Sequence, residues 1–389
     1  MLARVADEMV GVSVVLLVLG RTGSAALAGA AVAGYTLPAV LTGPLLGAWL
    51  AGARRPKLAL AGNELVLATV AVGLLLAVGH APSVAVVALT LLAGVSLPLT
   101  SGGFSSLLPG LVGRSGLARA NTVDATTVNG AAVAGPALAG TLAATLGPGT
   151  AVGAIGVVAV LAAAATAGVP GHKVPAGGER PALLRVARAG LAHLAGTPPL
   201  RAATLTSVVS LGSVGMLVVA LPARVVELGA KPAAAGYLWT AFELGSLFSI
   251  LVVAPRLRRF RPEAVVFCAV GGYGLLLSGL ALTPTLALTI VVAVLAGMAE
   301  GPNLPSVFAA RQRYSPDELL AQVSTTGASM KIGAFAIGSL LSGLLTGPLG
   351  PTGMLLLAAA GQLIAVVAGW AVGLTASAGP RHAPDGSQP

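Results

Sequence analysis

Apolar residues run through this chain in blocks, each closed by a charge or by a cluster of Gly, Pro and Ser. About 20 apolar residues coiled into an α-helix match the thickness of a bilayer's hydrocarbon core, and charges or Gly/Pro clusters mark the ends of such a run. The pattern predicts helices near 2–20, 25–50, 58–79, 83–108, 123–146 and 149–169, then near 202–225, 233–254, 264–283, 285–308, 319–346 and 351–375. That makes twelve spans in two groups of six, separated by a polar stretch from Pro170 to Pro199. The fold class expected is an all-α membrane protein. Its units are a six-helix bundle over 1–170, a linker over 171–200, a second bundle over 201–375 and a tail over 376–389. The first span opens almost at Met1 with Arg4, Asp7 and Glu8, so its first turn is charged. No cleaved signal peptide is expected, because no small-x-small site precedes a soluble domain. Within the linker, Leu184, Ala187, Leu191 and Leu194 fall on one helical face and Arg185 and Arg188 on the other. This predicts a short amphipathic helix lying on the membrane surface, with a disordered linker as the alternative.

Composition supports the membrane assignment. The chain of 389 residues is 56% hydrophobic and 9% charged, with a mean hydropathy of +0.93, whereas a soluble domain carries roughly 25% charged residues. A single cysteine, Cys268, excludes a disulfide scaffold. The net charge of +10 and pI near 10.8 raise the question of a nucleic-acid partner, which the positions of the charges answer. Lys and Arg are retained on the cytoplasmic side of short loops. With the N-terminus inside, 18 of the 22 basic residues fall in inside segments. Arg21, Arg224 and Lys231 fall outside, and Lys331 falls within a span. Small clusters in every second loop are topology signals, not a nucleic-acid face. Both termini are therefore expected in the cytoplasm, with the chain a multi-pass protein of the cytoplasmic membrane. The cluster Arg258, Arg259 and Arg261 sets topology or touches anionic lipid heads.

The halves resemble each other. Ala33-Gly34-Tyr35 recurs as Ala235-Gly236-Tyr237, and the same shift of 202 positions carries Arg54 onto Arg256 and Leu117 onto Leu319. Duplicated halves are common in transporters. With twelve spans, two six-helix halves and a polar linker, the chain resembles the major facilitator superfamily over residues 1 to 375. That family's loop signature G-x-L-A-D-R-x-G-R-K is matched in part by Gly47 through Lys57. Gly47, Arg54 and Arg55 are present, but Ala51 stands where the family has an acid, which removes that latch. Exporter-type members carry G-x-x-x-G-P-x-x-G-G on their fifth helix. Residues Ala131 to Gly140 retain Gly135, Pro136 and Gly140 of it. Pro bends a helix and Gly permits close contact, so the resemblance implies a kinked gating helix. No Lys or Arg lies between Lys57 and Arg114, so the helix-four Arg of proton-coupled drug exporters has no counterpart.

Ionisable groups within a span are costly, by about 2.5–3.5 kcal/mol at mid-helix on insertion scales, and mark functional sites by default. Glu243 and Lys331 are the deepest by sequence. They are either a proton carrier with its counter-ion or a structural ion pair. Glu300 precedes Gly301-Pro302-Asn303, where the helix should break and turn Glu300 and Asn303 to a cavity. Asp7 and Glu8 point about 100° apart on a helix, so one of them, Asp7, is expected to face the cavity. Glu64 faces the cavity or pairs with Arg54 or Arg55, and Asp124 is expected to cap its helix. Proton coupling is assigned to Glu243, Glu300 and Asp7. Trp239 and Phe242, beside Glu243, join Lys331, Asn303 and Glu64 as candidate substrate contacts.

Other classes fail on residue type. None of the four Lys follows Gly, so no phosphate-cradling Walker loop exists. The four Asp are far apart and the four His lack metal-ligand spacing. No enzyme activity, cofactor or metal is expected. The expected function is transport of a small amphipathic molecule by alternating access, as proton-coupled efflux through a monomer, with protons and the bilayer as partners. A nutrient permease or an uncoupled channel or lipid translocator is the alternative. Scarce polar side chains in the spans argue against sugars.

Overall fold

A computed structural model describes all residues except 52, 54, 106–111, 113–116, 169–182, 258 and 375–389, and the described residues contain helices and no strand. In chain order the helices are α1 (Leu2–Thr22), α2 (Ala25–Thr36), α3 (Ala39–Ala51), α4 (Pro56–Ala77), α5 (Ser83–Pro98), α6 (Leu117–Leu146), α7 (Pro148–Gly168) and α8 (Leu183–Gly196). They continue as α9 (Pro198–Gly215), α10 (Leu217–Glu227), α11 (Ala235–Val252), α12 (Ala254–Leu257), α13 (Pro262–Ala281), α14 (Leu286–Glu300), α15 (Asn303–Tyr314) and α16 (Asp317–Leu374).

Several predicted spans are broken at residues that explain the break. The span predicted over 25–50 divides at Leu37-Pro38 into α2 and α3, because Pro lacks the amide hydrogen and disfavours helix at the residue before it. The span over 285–308 divides at Gly301-Pro302, where the sequence predicted a break. The span over 202–225 bends by 43° at Met216, between α9 and α10. A π-helical turn, Leu99–Gly103, ends α5 right after Pro98. The last two predicted spans form one helical run, α16, interrupted at Gly350, whose φ of 70° only glycine adopts without strain. The chain reverses there, since Gly338 and Gly361, on either side of Gly350, both pack against Gly212-Ser213 of α9.

By length and apolarity, seven described helices can cross a membrane, or eight if the bent pair α9–α10 is one span. The difference from twelve has identifiable sources. Charges interrupt α1, α5 is short, α6 is polar in its first half, and α16 counts once.

Inside a bilayer, burial from water no longer drives packing. Helices associate through van der Waals contact and close backbone approach at small residues. In the first half, Met9, Val14 and Leu17 of α1 pack with Leu67 and Ala71 of α4 and with Val152 and Ile155 of α7. In the second, Leu217 and Leu221 of α10 pack with Leu238 of α11, Leu277 of α13, and Met354 and Leu355 of α16.

The two ends of the bundle differ. At one end the chain turns on glycines with positive φ: Gly23, Gly79, Gly147, Gly229 and Gly350. Arg21 there donates to the carbonyls of Leu75 and Val78, and Arg224 donates to the Thr283 carbonyl and the Thr352 hydroxyl. These two arginines, outliers in the charge tally, each tie the loops of one half together. The other end carries most of the remaining arginines. The halves meet toward the glycine-turn end through two backbone contacts. A Cβ on Gly236 of α11 would lie 2.6 Å from the Pro136 carbonyl of α6 and 2.7 Å from Gly140 Cα. A Cβ on Gly343 of α16 would lie 2.6 Å from the Ala25 carbonyl of α2. In the linker, α8 docks on α16 with Gly190 against Gln322, and Leu194 is buried with Leu200 and Val323.

Candidate functional site

Below those two contacts, a cavity of about 360 Å³ lies between the halves. From the first half it is lined by Asp7, Glu8, Val12 and Val15 of α1, Val32 and Tyr35 of α2, and Ala132 and Pro136 of α6. From the second come Leu211 and Val214 of α9, Val218 of α10, Trp239 and Glu243 of α11, and Phe335 of α16. Three carboxylates thus converge in a chamber whose other lining is mainly apolar, with no Lys or Arg on its wall among the described residues. Tyr35 donates its hydroxyl hydrogen to Asp7 Oδ1. Glu8 stands against Gly135 of α6, where a Cβ would come within 2.5 Å of the Glu8 Cβ, so that glycine makes room for the acid. Glu8 and Glu300 are the charged neighbours of Glu243.

The expected residues divide between this chamber and other places. Asp7, Glu243 and Trp239 line it, and so does Glu8, which the sequence reading had turned away. The cavity is wide enough at α1 to admit two side chains 100° apart. Phe242 does not line the chamber. It is buried, with its ring 6.0 Å from those of Trp239 and Tyr273, and supports Trp239 from behind. Lys331 is also absent from the chamber wall and lies in the field of Glu300 and of Arg311. Glu300 and Asn303 meet each other across the break between α14 and α15, with the Asn303 amide donating to Glu300 Oε1 at 2.9 Å, and neither lines the chamber.

Glu64 also departs from expectation. It is fully buried within the first half, where Thr100 donates to its Oε1 at 3.2 Å and Asn63 donates to the same oxygen at 3.2 Å. Its position on α4 turns it toward the π-helical turn and away from the chamber. Arg55 precedes α4 and is exposed. Gly47 lies within α3, and Arg54 is outside the described residues. Asp124 is no cap, because α6 begins at Leu117 and places it in the second turn. It forms an ion pair of 2.7 Å with Arg4, which also bonds Ser105 and Thr127.

The sequence matches the family described as transmembrane secretion effector over residues 9–384. The chain belongs to that family. It is a membrane transporter of the major facilitator type, and solved structures share its fold at low sequence identity. A mutant of the nucleoside transporter NupG is 12% identical, with a TM-score of 0.75 over 95% of this chain and 98% of that one. A peptide transporter, POT, in complex with sulfate is 15% identical, with a TM-score of 0.71 over 96% and 92%. A bacterial homolog of the human lysosomal transporter Spinster, inward-facing and unoccupied, is 14% identical, with a TM-score of 0.69 over 97% and 93%. No curated protein sequence matches the chain.

For a facilitator-type transporter, the residues of α6 fall in informative places. Pro136 lines the chamber, and its carbonyl, one helical turn from Gly140, meets Gly236 of the opposite half. Gly135 faces inward against α1. One short stretch therefore touches the chamber, the partner half and the acid-bearing helix.

Sequence reasoning missed Glu8, Tyr35, Gly236 and the Arg4–Asp124 pair. The repeat Ala-Gly-Tyr carried a signal for two of them. Tyr35 reaches Asp7, Gly236 reaches α6, and the repeat's second tyrosine, Tyr237, lies 3.3 Å from Thr141.

Proposed function

We propose that this chain is a secondary transporter that exports a small amphipathic molecule from the cytoplasm in exchange for protons, by rocking its two halves about the chamber. The observation that carries this reading is the convergence of Asp7 and Glu8 from one half with Glu243 from the other, on a wall without a basic side chain among the described residues. Carboxylates in such a chamber interact with protons or with a positively charged substrate, and both cannot occupy them at once. That exclusion is the basis of exchange. Trp239 and Tyr35 add aromatic surface that attracts a cationic group, while the valines and leucines accept the apolar part. The halves, 1–170 and 201–375, move as bodies joined by the linker 171–200, in line with the midplane sites of duplicated transporters. Closure toward the glycine-turn end, taken as the outside, corresponds to an inward-facing state. The glycine contacts of α6 with α11 and of α2 with α16 then part in the other state. The distribution of arginines supports both termini in the cytoplasm, with Glu300, held by Asn303, and Lys331 as the charges behind Glu243 that sense its protonation.

The test is transport in proteoliposomes holding the purified chain. An imposed pH gradient is expected to drive movement of an amphipathic cationic dye against its own gradient. Glu243→Gln is expected to abolish that drive while leaving the protein folded. Gradient-independent movement, unchanged by Glu243→Gln, would exclude proton exchange through this residue.

A further inference from the structure

We infer that the arginine end of the second half carries a seat for one anionic phospholipid with two acyl chains, between α11, α13 and α15. Two apolar grooves lie side by side there. One, of about 520 Å³, runs past Ile250, Pro305, Ser306 and Phe308. The other, of about 410 Å³, runs past Cys268, Met298 and Pro302. Leu257, Phe260 and Val265 line both and form a ridge between them. Each groove falls within the ~300–1,000 Å³ usual for a small-molecule site. A ligand with a single apolar tail fills one lane. A ligand whose two tails join at a polar head straddles the ridge and fills both.

The charges that flank the ridge residues Leu257 and Phe260 along the chain specify the head. Arg259 places its guanidinium 5.0 Å from the centre of the Phe260 ring, Arg256 is anchored on the Val252 carbonyl, and Arg261 opens α13. Among the described residues none of the three has a carboxylate within ion-pair distance. The acid beside them, Glu263, accepts a hydrogen bond of 3.0 Å from the Tyr314 hydroxyl. Three guanidinium groups without an acid partner, over a two-lane apolar surface, complement a phosphate head with net negative charge. Pro302 lines one lane and Pro305 the other, so the lipid contacts the break between α14 and α15 just beyond Glu300.

The chain's single cysteine supplies the readout, because Cys268 is exposed and lines the second lane. The full chain in mild detergent is titrated with phosphatidylglycerol or phosphatidylcholine while a lipophilic maleimide labels Cys268. Phosphatidylglycerol should protect Cys268 at a concentration at least about tenfold lower than phosphatidylcholine does, given roughly fivefold per surface arginine. Arg259→Gln with Arg261→Gln should erase that preference. Ser306→Trp, which fills the first lane and leaves the arginines intact, should weaken protection without changing the labelling rate in lipid-free detergent. Equal protection by the two lipids, protection by glycerol phosphate alone, or full protection in Ser306→Trp would each overturn the proposal.

Discussion

The two halves place their buried charges differently on the same helical plan. In the first half Arg4 is paired with Asp124 at 2.7 Å and bonded to Ser105 and Thr127, while Glu64 accepts from Asn63 and Thr100. In the second half Glu243 has no hydrogen bond or ion pair among the described residues, and Lys331 sits in the field of Glu300 without direct contact. A buried charge with its ion-pair partner in place, as Arg4 has in Asp124, stiffens a bundle, whereas Glu64 keeps its second oxygen, Oε2, buried and unbonded. A charge that faces a cavity with no partner is available to a substrate or a proton. The Arg4–Asp124 pair thus stiffens the first half near the start of α1, while Glu8 from that half and Glu243 from the other both reach the chamber with no bonded partner among the described residues.

That contrast can be broken from either side. Asp124→Ala strands the buried Arg4 and should cost about 3–5 kcal/mol of stability, read by thermal unfolding in detergent. Glu300→Gln, which removes a charge that has a hydrogen bond from Asn303 but no ion-pair contact among the described residues, should move the unfolding temperature far less while impairing transport. Parity between the two variants in stability would remove the distinction. Gly236→Leu tests where the halves meet. Overpacking of about 1–3 kcal/mol against Pro136 and Gly140 should shift the population toward the state open at the glycine-turn end by roughly 5- to 150-fold. In a Cys268→Ser background, Val218→Cys should then label faster from that side. An unchanged labelling rate would mean that the glycine contact is not a gate. The smallest effect is expected for Tyr35→Phe, which removes one hydrogen bond to Asp7, worth about 0.5–1.5 kcal/mol net. Transport should fall severalfold with the fold intact.

Much of the helix plan was legible because apolar run length and Gly/Pro breaks act locally. The break at Gly301-Pro302 and the placement of Arg-rich loops follow from backbone chemistry and charge alone. The site was legible only in part. Glu243, Asp7 and Trp239 stood out as rare residue types in apolar helices. Hydropathy gives no azimuth for a helix that is apolar all round, so the directions of Phe242, Glu64 and Glu8 were set by tertiary packing. Lys331 was matched to Glu243 because both are deep. Lys331 instead lies in the field of Glu300, a relation between two helices that apolar run length does not encode. Arg4 resembles a topology charge in the sequence because Asp124, its partner, is 120 positions away.

The central claim is that acids from both halves act on one ligand in one chamber. Binding of an amphipathic cationic dye to the purified protein should therefore be measured for Glu8→Gln, Glu243→Gln and the double variant. The account predicts losses that are not additive, with a coupling of about 0.5–3 kcal/mol, as for residues that share a ligand. Losses that add within roughly 0.3–0.5 kcal/mol, the behaviour of independent sites, would contradict it.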